Sequence, residues 1–98
     1  MRVIHKQEIN YRDASQQTLS LPIHSKVISC DFQGESLVIW YMFDPLYEHT
    51  MSGRSFWIVR TGETTGEFID SGKARFIGTA NDRDKKQPFV IHLFELIF

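Results

Sequence analysis

Arg54, Trp57, Arg60 and the run Thr61-Gly62-Glu63-Thr64-Thr65 bring three kinds of nucleotide-contacting chemistry into one short stretch. An aromatic face stacks on a base, arginines pair with phosphates, and hydroxyls or backbone N–H groups at a glycine turn complete the hydrogen bonding. Trp40 upstream offers a second stacking surface. Arg75 downstream reaches the same region if its strand pairs with the one carrying Trp57, and Lys73 stands beside it. The competing reading makes Trp57 a core residue, Arg60 a solvated strand end and the threonine loop an ordinary turn. Glu63 opposes a phosphate if it points inward.

Catalysis has less to work with. His5, His24, His49 and His92 show no metal-ligand spacing, and the single Cys30 cannot complete a zinc site. No phosphate-binding P-loop, dinucleotide glycine fingerprint or nucleophile elbow is present. His92, between Ile91 and Leu93, reads as a packed or interface histidine, and Cys30 as an inert buried thiol. The expectation is a protein without catalytic residues, cofactor or metal.

Size and charge narrow the classes further. The chain has 98 residues, enough for one β domain over 1–98. Eleven basic and twelve acidic side chains give a formal charge of −1, which argues against coating duplex DNA or anionic lipid. One cysteine fits a reducing cytoplasm. MRVIHKQEIN does not read as a signal peptide, and no apolar run approaches the roughly 20 residues that span a bilayer.

The elements that must position these residues read as strands. Arg2 to Ile9 forms the first, and Gln16 to Leu21, closed by Pro22, a short edge strand. Lys26 to Gln33 alternates, with Ile28, Cys30 and Phe32 on one face and Val27, Ser29, Asp31 and Gln33 on the other. Gln33-Gly34-Glu35-Ser36 makes a hairpin turn. Leu37 to Asp44 is stopped by Pro45, and Leu46 to Gly53 is a loop. A strand from about Arg54 to Thr61 then pairs with Leu37–Asp44 as a central hairpin. Gly66 to Lys73 is an irregular excursion, Arg75 to Thr79 a short strand, Ala80 to Gln87 a solvated charged turn, and Pro88 to Glu95 the last strand. Helical periodicity is absent, so the fold class is all-β: a small antiparallel barrel or sandwich of six to seven strands, built largely of sequential hairpins, with little or no helix.

Three of these strands are apolar on both sides. Leu37, Ile39, Tyr41 and Phe43 oppose Val38, Trp40 and Met42; Phe56 and Ile58 oppose Trp57 and Val59; Phe89, Ile91 and Leu93 oppose Val90, His92 and Phe94. A second subunit or a loop folding back must cover the second face. Trp40 and Met42 suit a subunit interface or a second core layer, and the apolar end Leu96-Ile97-Phe98 suits docking on the domain or on a partner chain. The preferred expectation is a homo-oligomer, a dimer or tetramer.

Several short blocks in order carry a resemblance: Val3-Ile4-His5-Lys6, Thr18-Leu19-Ser20-Leu21-Pro22 followed by Lys26-Val27-Ile28-Ser29, the block ending Phe43-Asp44-Pro45, Phe56-Trp57-Ile58 running into Thr61-Gly62, Phe76-Ile77-Gly78-Thr79, and His92-Leu93-Phe94-Glu95. Together they resemble a widespread family of roughly hundred-residue proteins encoded by bacteriophages and prophages. Where that family often has a glycine before and a histidine after the Thr-Gly pair, this chain has Arg60 and Glu63. In size and breadth the family is similar to phage sponges of the anti-CBASS class, which oligomerise and trap cyclic dinucleotide signals without cleaving them.

That resemblance implies a cytoplasmic protein of the infected bacterial host that sequesters a cyclic nucleotide immune signal. Trp40, Arg54, Trp57, Arg60, Thr61, Gly62, Thr64, Thr65 and Arg75 are then the ligand-binding set. Two other readings use the same residues: a small structural or host-protein-inhibiting module, and a single-stranded nucleic-acid binder.

Overall fold

The computed structural model describes residues 1–12, 15–82 and 89–97. Among them are seven strands: β1 (Val3–Ile9), β2 (Gln16–Pro22), β3 (Lys26–Gln33), β4 (Ser36–Phe43), β5 (Met51–Arg60), β6 (Ala74–Asp82) and β7 (Phe89–Leu96). One turn of 3-10 helix (Pro45–Tyr47) follows β4, and one turn of α-helix, α1 (Glu67–Asp70), precedes β6. The strands form two antiparallel sheets, β1-β4-β3 and β2-β5-β7-β6, so the fold is an all-β sandwich.

The expected hairpin between Leu37–Asp44 and Arg54–Thr61 does not exist. β4 is the middle strand of the first sheet and β5 an inner strand of the second. Two apolar faces mark a strand flanked on both edges and covered on both sides, and that signature is the same in either sheet. The connection starts where Asp44 accepts a hydrogen bond from the Leu46 amide at 3.0 Å and Pro45 opens the 3-10 turn. β5 begins at Met51, earlier than expected, because its first residues pair with β2 from Leu19↔Arg54 to Pro22↔Met51. Only β3–β4 and β6–β7 are pairs of consecutive strands; β1–β4, β2–β5 and β5–β7 are long-range. β6 runs on through Asp82, so Ala80–Asp82 belongs to a strand. The rest of the expected charged turn, and Pro88 and Phe98, lie outside the described residues.

Inward-facing residues of both sheets build the core: Ile9, Val27, Cys30, Leu37, Ile39, Tyr41 and Phe43 from the first, and Leu21, Phe56, Ile58, Ala80, Ile91 and Leu93 from the second. The Ile28, Cys30, Phe32 alternation is broken by a bulge between Val27 and Ser29, opposite Trp40. One extra residue shifts the side-chain phase, so Val27 and Cys30 are both buried while Ile28 is 40% exposed. A second bulge, between Phe76 and Gly78, does the same in β6. There the sheets come close, and a Cβ on Gly78 would stand 3.3 Å from the Cys30 Sγ.

Burial pushes the Cys30 thiol up to about 11, with Asp31 adding to the effect. At pH 7 about one molecule in ten thousand carries the thiolate. Folded protein is therefore expected to react with a thiol reagent only after denaturation. The folded value lies above the ordinary 9.0, so the stability gained by keeping the thiol protonated is intact below pH 9.0 and lost as pH rises toward about 11. Tyr41, raised by burial, adds a loss of the same sign. Denaturation midpoints measured across that range test both.

Part of each outward face is covered within the chain. On the first sheet, Lys6 reaches from β1 across β4 to donate to Gln33 Oε1 at 2.7 Å, and Val38, between them, is buried. On the second, Val59 and Leu96 are buried although they point outward. The excursion after β5 returns there: Gly66 lies against Trp57, and the Ile97 amide donates to the Lys73 carbonyl at 2.8 Å. Leu96 thus docks on its own sheet, whereas Ile97 is 54% exposed.

Candidate ligand-binding face

Strand register alone aligns the aromatics of the second sheet. Trp57 pairs with Phe94, and Phe94 pairs with Phe76, so three rings stand in one row across β5, β7 and β6 on the outward face. Phe76 and Phe94 have centroids 5.4 Å apart, and Phe76 is 55% exposed while Trp57 and Phe94 are half-buried. One pleat further along, Val59, His92 and Thr79 form the next row.

His92 is held by two hydroxyls: Nε2 lies 3.0 Å from Thr61 Oγ1, and Nδ1 lies 2.9 Å from Thr79 Oγ1. A neutral imidazole donates through one nitrogen and accepts through the other, and a hydroxyl can do either, so both tautomers are satisfied. The result is a polar strip beside the aromatic row, fixed from three strands. Thr61 is anchored further by its amide, which donates to the Val90 carbonyl.

The loop above this face is built by its glycines and acids. Gly62, at φ 95°, and Gly66, at φ 85°, occupy the left-handed region where a side chain is strained. Glu63 folds back, accepting from the Arg60 amide at 3.2 Å and lying 3.9 Å from Arg60 Nε. Asp70 accepts from the Thr65 hydroxyl. Glu63 and Asp70 are therefore both engaged inside the loop.

The structure divides the residues expected to act together. Trp57 and Thr61 lie on the outward face of the second sheet, and the loop carrying Gly62, Thr64 and Thr65 returns to that face where Gly66 meets Trp57. Trp40, opposite Lys6 and Ser29, sits on the outward face of the first sheet, the full sandwich away from Trp57. Arg60 ends β5 beside Glu63. Arg54 points inward on the same strand, six residues or about 20 Å away. Arg75, separated from β5 by β7, meets Arg54 only through Glu95, a residue outside the expected ligand-binding set.

Glu95 is buried at the inward position of β7, with its side chain 7% exposed. Arg54 binds it through two donors, Nε to Oε2 and Nη2 to Oε1, both at 2.9 Å, and gives Nη1 to the Ser25 carbonyl at 2.7 Å. Arg75 donates Nη2 to Glu95 Oε1 at 3.3 Å and to the Val27 carbonyl at 3.2 Å. Arg54 and Arg75 thus close one end of the sandwich. A carboxylate two residues after Leu93, in the alternation that buries Ile91 and Leu93, was the available signal, since a charge there requires a partner. Phe76, Thr79, His92 and Phe94 were also missed, and finding them required the register of β6 on β7.

Among the described residues no cluster of three or more His, Cys, Asp or Glu is arranged to hold a metal ion. No helix among them is long and apolar enough to cross a membrane. No curated protein and no solved structure matches the chain. A family model does match, over residues 1–97, so the chain belongs to the DUF7352 family, a domain of unknown function.

Proposed function

We propose that this protein acts by binding rather than catalysis, as a phage anti-defence protein that sequesters a cyclic nucleotide signal in the host cytoplasm without cleaving it. The observation that carries this reading is the row Trp57, Phe94, Phe76 lying directly beside the Thr61–His92–Thr79 strip. A base needs a ring to stack on and polar atoms at its edge, and this face supplies both from a rigid sheet. Lys73, just before β6, supplies charge for a phosphate, whereas Arg60 shares the register of inward Ile91 and lies off this face. The inward Arg54 and Arg75 are then structural, and Trp40 lies outside the site.

A sponge removes its signal one for one, so it needs a dissociation constant of about 1 nM, near −12 kcal/mol. Calorimetry and thermal shift against cyclic di- and trinucleotides test this. A ligand at a thousand times its dissociation constant raises stability by about 4 kcal/mol. Stacking is worth about 1–3 kcal/mol per base, so Trp57→Ala is expected to weaken binding about tenfold to a hundredfold, while Trp40→Phe leaves it unchanged. Absence of any shift with these ligands would retire the reading.

Exposed Phe76, at 55%, on the same face favours a second reading, a host-protein-binding module. Salt-sensitive binding of a single-stranded oligonucleotide, lost in Trp57→Ala, would favour the nucleic-acid alternative instead.

A further inference from the structure

A sandwich of two open sheets has four edge strands, here β1, β3, β2 and β6. Unprotected edges recruit further strands, and proteins blunt them with bulges, proline or cover. β3 carries the bulge at Val27/Ser29 and β6 the bulge at Phe76/Gly78, and these two edges pack against each other across the sandwich. β2 ends in Pro22, which has no N–H to offer. β1 carries no bulge and no proline, and the charges on its exposed outward face, Lys6 and Glu8, are of opposite sign. Its register on β4 runs unbroken from Val3↔Phe43 to Ile9↔Leu37, and among the described residues it pairs with no other strand.

We propose that β1 is a dimerisation edge, which pairs antiparallel with β1 of a second copy about a twofold axis at Gln7. The charges select this register. A twofold axis normal to the sheet must place residues of equal parity opposite each other, because the outward face continues as the outward face. Centred on Lys6, the pairing sets Lys6 against its own copy; centred on Glu8, it sets Glu8 against its own copy. Centred on Gln7, it sets Lys6 opposite Glu8 twice, on the outward face, where both are exposed. Opposite charges directly across a strand pair stabilise it, and like charges destabilise it. In this arrangement Lys6 turns from Gln33, toward which it points across β4 in the single chain, to Glu8 of the second copy. The two first sheets become one, in the order β3-β4-β1-β1-β4-β3.

Light scattering coupled to size exclusion, with sedimentation for the constants, tests the assignment on the full chain. Wild-type protein is expected to dimerise. Lys6→Glu and Glu8→Lys each place like charges opposite each other at both positions, and each is expected to raise the dissociation constant about tenfold or more. Mixed together, the two variants regain complementary pairs and form a heterodimer, and the double exchange K6E/E8K restores the homodimer. Both sites are exposed, so circular dichroism of every variant should match wild type. A monomeric wild type would overturn the proposal, as would single variants that associate as tightly as wild type or a mixture that fails to recombine.

Discussion

Glu95→Ala is expected to destabilise the fold by about 3–5 kcal/mol, a large share of the 5–15 kcal/mol that holds a typical small domain. Glu95 is the sole carboxylate that the described geometry places against both Arg54 and Arg75, and its side chain is 7% exposed. Truncation leaves the Arg54 guanidinium, 23% exposed, holding only the Ser25 carbonyl. An inward charge stripped of its counter-ion costs more than the pair contributed. Arg75 is 42% exposed and can turn to water, so Arg75→Ala should cost no more than about 1 kcal/mol. Removing both charges at once is milder than removing one: Arg54→Met with Glu95→Leu should recover most of the loss, because apolar groups of similar size do not need pairing. Urea denaturation of wild type and these three variants compares the costs. A Glu95→Ala protein within about 1 kcal/mol of wild type would mean that Arg54 finds solvent, and would return it to the pool of ligand-binding cations.

Phe56→Ala should cost about 3–5 kcal/mol as well, through a different mechanism. Phe56 is fully buried, between Gln17 on β2 and Glu95 on β7, and is the largest of the fully buried side chains. It belongs to the same buried cluster as Ile39, Ile58 and Leu93. Alanine leaves a cavity that neighbours on two rigid sheets cannot close. For a chain of this length each kcal/mol moves the melting temperature by about 4–8 °C, so a fall of at least about 12 °C is expected by calorimetry. Phe56→Leu, which retains most of the volume, should lose much less. Because Phe56 and Glu95 are cross-strand neighbours, the two alanine variants should combine non-additively.

The split between those two arginines and the outward tryptophan shows how far the sequence reached. Strand identity was legible throughout, because alternation and β-branched or aromatic density are local properties. The turn at Gly34, the stop at Asp44-Pro45 and the edge position of β2 with its terminal proline were legible for the same reason. Which strands share a sheet was not. β4 and β5 carry the same two-sided pattern, and nothing local distinguishes a hairpin from a crossover between sheets, so they were joined when they lie apart. The bulges at Val27/Ser29 and Phe76/Gly78 were equally silent, since the alternation of Ile28, Cys30 and Phe32 looked regular until one residue had to be left out of the pairing.

The candidate site suffered from the same limit. Trp57, Thr61 and the glycine loop were recognisable from residue type, and they do lie together. Their partners Phe94, Phe76, His92 and Thr79 come from strands far along the chain, and only register puts them in line. Composition and pattern by themselves determined the all-β class, the presence of each strand and, away from the bulges, the face each one offers. Tertiary structure decided the pairing, which makes Arg54 the inward counter-ion of buried Glu95, separates Trp40 from Trp57 and aligns three rings beside a histidine. The physical reason is that a side chain's face is set by its neighbours one and two residues away, whereas its company is set by whichever strand hydrogen-bonds alongside.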